Sequence, residues 1–196
     1  RISFSFKFKK RKVIVIYVEK DLEKNSEALT GLLLHEINHI NQIEKGTYKE
    51  IYNGYNEVFL KNKRLIMSLK YDKNKLKELF NEISAITILT LKDIYTNNEL
   101  IKRGLTKYLI YYYQFEFARK TCPRPIFYRN LKDAAKKDLS IVKLAFDFEL
   151  SILSVILPLY KTKDAKKLVD FIGRCYEINI NEISDKCHQL ITLYFG

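Results

Sequence analysis

Residues 31–46 read GLLLHEINHINQIEKG, and His35 and His39 stand four positions apart within this stretch. Apolar residues recur at helical spacing through it and through the segment before it. Asn25 or Ser26 can cap the amino end of a helix here, and the closing glycine suits the position just after the last turn. The stretch therefore predicts a helix of about five turns that carries both histidines on one face.

The side chains of this helix can hold a metal ion. Residues at i and i+4 lie one above the other on a helix, so His35 and His39 can direct ring nitrogens at one divalent cation. Glu36 is rotated about the helix axis from the first histidine, so its carboxylate can reach a water molecule on that ion instead of the ion itself. This arrangement is the H-E-x-x-H zincin motif, in which two histidines bind zinc and the glutamate takes a proton from the water.

A chance occurrence of the motif is the alternative interpretation. Two histidines four apart, the first followed by an acidic residue, arise by chance in about 0.4% of sequences of this composition. The flanking leucines and isoleucines indicate that the helix is buried, and buried histidine and glutamate side chains without partners are energetically costly. Both observations favour a metal site over histidines that only fill a core.

A third protein ligand is needed, and its identity distinguishes the branches of the zincins. The metzincin arrangement would require a glycine and a histidine where the chain has Gln42 and Lys45, so that branch is excluded. The remaining histidine, His188, lies far downstream. A carboxylate is the better candidate, as in the catalytic zinc sites built from two histidines and a glutamate.

Two glutamates compete for this position. Glu82, in LFNEISAITIL, lies on a well-formed apolar helix, with the small residue Ala85 on the same face to allow close helix packing. Glu57, in GYNEVFL, follows the second histidine at 18 residues rather than 43, but the larger Leu60 and Lys61 follow on its face. We favour Glu82, and the other glutamate is then expected to be a surface carboxylate.

The motifs HEINH at 35–39 and NEISA at 81–85 resemble the gluzincin branch of zinc metallopeptidases, the thermolysin-like and minigluzincin-like zincins. The resemblance covers about residues 12–90 and implies a peptidase that uses zinc. The implied site has zinc held by His35, His39 and Glu82, with Glu36 as general base and acid.

The resemblance also implies a role for the strand before the helix and shows one departure. The segment KVIVIYVEK would line the cleft and pair with an extended peptide substrate. Thermolysin-like helices often carry an acidic residue four positions after the ligand glutamate, where it orients a histidine. Here that position is Ile86, so Ser84, Asn81 or a backbone carbonyl would have to hold the imidazole.

The expected fold is α+β and zincin-like, with a small N-terminal β-sheet followed by a mainly helical body. ISFSFKFKK, at residues 2–10, alternates apolar and polar side chains, and residues 12–20 form a β-branched run, so both predict strands. Helical spacing predominates downstream. We expect one domain over 1–196, with a metal-binding core at about 1–99 and a helical part at about 100–196.

The composition limits the cellular setting. No apolar window is long and uncharged enough for a membrane span, and nothing resembles a secretory signal. The three cysteines form no C-x-x-C pair, which suggests reduced thiols and a cytoplasmic protein. Because the chain opens on Arg1 instead of Met, we expect further residues upstream. Zn²⁺ is the expected cofactor, and a peptide or unfolded protein is the expected substrate.

Two other functions are compatible with the sequence. A zincin-fold protein can keep its metal for a structural or regulatory role without useful turnover, and Ile86 at the position of the missing acid favours that alternative. The net charge of +12 is compatible with nucleic-acid binding, which would weaken steeply with salt. The lysines, however, are scattered through every segment, as on an ordinary solvated surface.

A dense tyrosine cluster is a possible source of an oxyanion donor, which peptide hydrolysis requires. It comprises Tyr108, Tyr111, Tyr112 and Tyr113. Since the chain has 14 tyrosines, the sequence singles out none of them, and we interpret the cluster as core packing.

Overall fold

The computed structural model of the chain describes residues 3–8, 11–67 and 73–119 and, in the last third, residues 152, 154, 155, 157–159, 162, 163 and 165–176. The described chain is mainly helical, which confirms that part of the expected fold. Its β-structure is one antiparallel hairpin, with strand β1 at Ser3–Phe8 and strand β2 at Arg11–Ile16. A short 3₁₀ helix at Lys20–Lys24 precedes the helices α1 (Ser26–Lys45), α2 (Thr47–Met67), α3 (Lys73–Lys102), α4 (Thr106–Arg119) and α5 (Ala165–Tyr176).

Helix α1 has the ends that the sequence predicts. The side-chain oxygen of Asn25 accepts a hydrogen bond from the backbone N–H of Ala28 at 3.0 Å. At the other end Gly46 adopts a left-handed conformation with φ of 78°, and its N–H bonds back to carbonyls of the last turn. These two ends fix the length of the helix that carries the histidines.

Helix α1 lies at the centre of the described fold. Helices α3 and α4 and both strands contact it, while α2 contacts α1 and α3. The apolar core lies between α1, α4 and the helical residues of the last third. Its fully buried members include Leu32, Leu100, Leu109, Tyr112, Leu159, Leu168 and Ile172.

Helices α1 and α4 approach each other closely at Gly31. A Cβ atom at this position would lie 2.2 Å from the carbonyl oxygen of Tyr108 and 2.7 Å from Cβ of Tyr112. Both distances are far below van der Waals contact, and the nearer atom belongs to the backbone, so no side-chain rotation can relieve the clash. The missing side chain therefore allows α4 to lie directly on the histidine helix.

Substituting Gly31→Ala is expected to destabilise the protein by about 3 kcal/mol, because α1 and α4 would have to move apart. Urea unfolding of the wild type and the variant measures this difference. Gly54→Ala, in helix α2, is the matched control, since a Cβ there has nothing within 4 Å. We expect the control to be neutral or stabilised by up to about 1 kcal/mol. Equal destabilisation by the two substitutions would contradict the close packing.

The segment from α3 to α4 joins the two parts that the sequence divides near residue 99. Helix α3 continues through that position to Lys102, and the chain then turns at Gly104, where φ is 76°. Helix α4 begins at Thr106 and brings the buried Tyr112 and Tyr113 against the core.

Among the described helices, none has the length and apolar character needed to cross a membrane.

Candidate metal centre

Three potential ligand atoms converge between α1 and α3. The Nε2 atoms of His35 and His39 lie 2.9 Å apart. Oδ1 of Asp93 lies 3.5 Å from the first of these nitrogens and 3.0 Å from the second. The three residues form a group that could hold a metal ion. The structure thus brings the two predicted histidines together and places an unpredicted aspartate beside them.

The separations in this cluster suit a shared cation. Two ligands of a tetrahedral zinc ion, each about 2.0–2.1 Å from the metal, lie about 3.3 Å from each other. The observed separations between ligand atoms run from 2.9 to 3.5 Å, so small movements of the rings would reach this value. Two imidazole nitrogens and one carboxylate oxygen are also a usual donor set for catalytic zinc. The residues present therefore fit a divalent metal such as zinc.

The ring of His35 is held in one orientation by Asn97 of helix α3. The amide nitrogen of Asn97 donates to the carbonyl oxygen of Ser154 at 3.0 Å and to the hydroxyl of Tyr113 at 2.7 Å. Because a carbonyl can only accept, the amide oxygen must face the histidine, and Nδ1–H of His35 donates to it at 3.1 Å. In the neutral ring Nε2 is then unprotonated and can bind a metal.

The ring of His39 has two hydroxyl groups at its Nδ1 atom. One belongs to Tyr48, at the start of α2, and the other belongs to Thr96, whose Oγ1 lies 3.0 Å from the nitrogen. Thr96 also donates its hydroxyl proton to Oε1 of the buried Gln42 at 3.1 Å. Both histidines of the cluster therefore have an outer layer of polar partners, as protein metal ligands commonly do.

The charges at the cluster favour an ionised aspartate. Burial would raise the pKa of Asp93, but hydrogen bonds and attraction from His35 and His39, when these rings carry a proton on Nε2, outweigh it and hold the pKa far below the usual range. Burial, followed by the negative charges of Asp93 and Glu36, raises the pKa of Tyr48 above its ordinary value. At neutral pH the cluster therefore presents a carboxylate, and the Tyr48 hydroxyl keeps its proton.

Glu36, the predicted general base, is buried on α1 with 8% of its surface exposed. Its negative charge contributes to the raised pKa of Tyr48, whose hydroxyl contacts His39. The carboxylate therefore lies within electrostatic reach of the Tyr48 hydroxyl, which contacts one of the three potential ligands. Solvent reaches the cluster from the aspartate side, since the side chain of Asp93 is 36% exposed and that of His35 only 2%.

The structure does not bring the two glutamates considered in the sequence to the histidines. Glu82 is exposed on α3, 11 residues before Asp93, which corresponds to about 16 Å along the helix. Glu57 is exposed on α2. Ser84, considered as a partner for an imidazole, instead accepts a hydrogen bond from the Tyr55 hydroxyl at 2.7 Å.

Sequence reasoning missed Asp93 although one pattern could have found it. The gluzincin resemblance implies an acidic residue four positions after the third ligand to orient a histidine, and KDIYTN places an amide, Asn97, four positions after Asp93. A search for a carboxylate with a polar residue four positions later, instead of for the letters N-E-x-x-A, would have selected the segment of α3 that contacts the histidines. No comparable pattern marks Tyr48 or Thr96, whose positions depend on how α2 and α3 pack against α1.

Comparisons with known proteins return nothing further: no family model, curated protein or solved structure matches this chain. The resemblance to gluzincins consequently rests on the two short motifs at 35–39 and 81–85.

Proposed function

We propose that this protein is a zinc-dependent peptidase with a zincin-like arrangement. Zinc would be held by His35, His39 and Asp93, with Glu36 as the general base. Asp93 takes the place that the sequence assigned to Glu82. The observation that carries the proposal is the convergence of two imidazole nitrogens and one carboxylate oxygen within 3.5 Å of one another, beside a buried glutamate.

The polar surroundings of the cluster favour a cation over a set of satisfied core histidines. Asn97 keeps the ring proton of His35 on Nδ1, so Nε2 of the neutral ring has only a lone pair to offer. That lone pair faces Nε2 of His39 at 2.9 Å and a carboxylate oxygen of Asp93 at 3.5 Å. Acceptors at such short range repel one another unless a proton or a metal ion lies between them, and a divalent ion satisfies all three at once.

The residues of the chain would divide the work of hydrolysis. Zinc, when bound, supplies Lewis acidity and lowers the pKa of a coordinated water molecule. Glu36, buried and close to the cluster, takes a proton and passes it to the leaving amine. Tyr48 keeps its proton and supports His39 through Nδ1, while Asp93 balances positive charge at the site.

The surroundings of the cluster are compatible with an extended peptide as substrate. Within the described residues strand β2 pairs with β1 alone, so its second edge has no strand partner among them. A peptide can add to such an edge through main-chain hydrogen bonds and independently of its sequence. Both strands contact α1, which carries the motif. We therefore propose an unfolded protein as the substrate.

Metal removal tests the proposal. Purified protein is expected to contain about one zinc per chain and to hydrolyse labelled casein. Prolonged treatment with 1,10-phenanthroline should abolish the hydrolysis, and added Zn²⁺ should restore it, because the chain's own residues cannot acidify water without the ion. Elemental analysis and the fluorescence of released peptides are the measurements. A chain that holds zinc but cleaves none of several unfolded substrates would instead support a structural or regulatory metal.

A further inference from the structure

We propose that Gln42 is a positioning residue that, through Thr96, fixes the tautomer of His39 that can bind metal. The inference rests on the proposed metal site and assigns a role to two residues outside the ligand set. Gln42 follows His39 by three positions on α1, and Thr96 follows Asp93 by three positions on α3. A single hydrogen bond between them therefore connects the two helices that carry the ligands.

The tautomer of His39 depends on the hydrogen bonds that its Nδ1 atom makes. The hydroxyl groups of Tyr48 and Thr96 both contact this nitrogen, and a hydroxyl can either donate or accept. If either one donates to Nδ1, the proton of the neutral ring must lie on Nε2. A protonated Nε2 cannot bind a metal ion, so the choice between donor and acceptor decides whether the site can form.

Gln42 determines whether the Thr96 hydroxyl donates to His39 or accepts from it. Its Oε1 accepts the Thr96 hydroxyl proton at 3.1 Å, so the hydroxyl oxygen can only accept from His39. With the ring proton on Nδ1 and donated to Thr96, Nε2 faces His35 and Asp93 with its lone pair. The Tyr48 hydroxyl must then direct its own proton away from Nδ1. Since Gln42 is only 4% exposed and Thr96 is fully buried, bulk water cannot readily replace either partner.

The orientation of the Gln42 amide determines whether its oxygen or its nitrogen faces Thr96. Its Nε2 is buried and has no hydrogen-bond partner among the described residues. Turning the amide over would direct an N–H at Thr96 and release the Thr96 proton toward Nδ1 of His39. The orientation with Oε1 toward Thr96 thus favours the tautomer of the ring that can bind metal, and the opposite orientation favours the other tautomer.

Two pairs of variants test this relay, by which we mean the hydrogen-bond chain from Gln42 through Thr96 to His39. Thr96→Val removes the hydroxyl and keeps the side-chain shape, whereas Thr96→Ser keeps the hydroxyl. Gln42→Met removes the acceptor at similar size, whereas Gln42→Glu offers only oxygen atoms to Thr96. We expect the first member of each pair to weaken Zn²⁺ binding by about 10- to 100-fold, and the second to stay within about threefold of wild type. Competition with a chromogenic chelator measures the affinities.

The tautomer is read directly by ¹⁵N NMR of the histidine ring nitrogens in chelator-treated protein at alkaline pH. Wild type and the two conservative variants should show His39 protonated at Nδ1, and Thr96→Val and Gln42→Met should shift the ring toward protonation at Nε2. A merely structural role would weaken binding without moving this signal. An unchanged tautomer in both disruptive variants overturns the inference. A wild type that binds no zinc would defeat the proposed function, while the NMR comparison would still decide the relay.

Discussion

Asp93→Ala is expected to weaken Zn²⁺ binding at least 100-fold, equivalent to about 3 kcal/mol, whereas Glu82→Ala should leave it within about twofold. Asp93 contributes a carboxylate oxygen 3.0 Å from Nε2 of His39, and its loss removes both a ligand and the negative charge that balances the cation. Glu82 is exposed and about 16 Å away along the same helix, so its removal changes neither. Competitive titration with a zinc chelator measures both affinities.

Comparison of Asp93→Ala with Glu82→Ala also shows which of the two candidate carboxylates binds zinc, because the two variants are closely matched. Both substitutions delete one acidic side chain from α3, so a general effect of net charge on zinc affinity would appear in both variants. Circular dichroism should show an unchanged helix content in each. Glu57→Ala, on α2, completes the series and should resemble Glu82→Ala. Loss of zinc in Glu82→Ala with retention in Asp93→Ala would contradict the site and favour the original prediction from the sequence.

Glu36→Gln is expected to lower hydrolysis by a factor of about 10²–10⁴ while the protein keeps its zinc. The amide has nearly the same size and can occupy the same buried position, but it cannot take a proton. The ligand atoms of His35, His39 and Asp93 are unaffected, so metal content should remain near one ion per chain. Initial rates of casein cleavage and elemental analysis of the same samples give the two quantities.

His39→Ala is the control for this experiment, because it removes a ligand and should lose both zinc and activity. Together the two variants distinguish an effect on metal binding from an effect on proton transfer. Full activity in Glu36→Gln would mean that another group accepts the proton and that the H-E-x-x-H interpretation of the motif is wrong. Loss of zinc in Glu36→Gln would mean that the buried carboxylate serves the ion itself.

The helix of the motif is the element that the sequence predicts best. Its amino cap at Asn25 and its end at Gly46 depend on hydrogen bonds and backbone conformation within a few residues. The facing of His35 and His39 follows from the helical repeat alone, so it required no knowledge of the rest of the chain. The mainly helical character downstream follows equally from the spacing of apolar residues.

The carboxylate that lies beside the histidines depends on a quantity that local sequence does not contain, which is the register of α3 against α1. Helix α3 extends over 30 residues, and a carboxylate on it reaches the histidines only at the level where the two helices cross. Glu82 has the better local motif but lies three turns too early, whereas Asp93 lies at that level. Packing of whole helix faces sets this register, and a motif of five letters does not report it.

The sequence by itself therefore determined the helix, its caps and the pair of imidazoles one turn apart, since each follows from contacts between near neighbours in the chain. Only the tertiary structure decided which carboxylate joins them and which hydroxyl and amide groups surround them. Those partners come from residues 48, 93, 96 and 97, and they meet because α2 and α3 pack against α1.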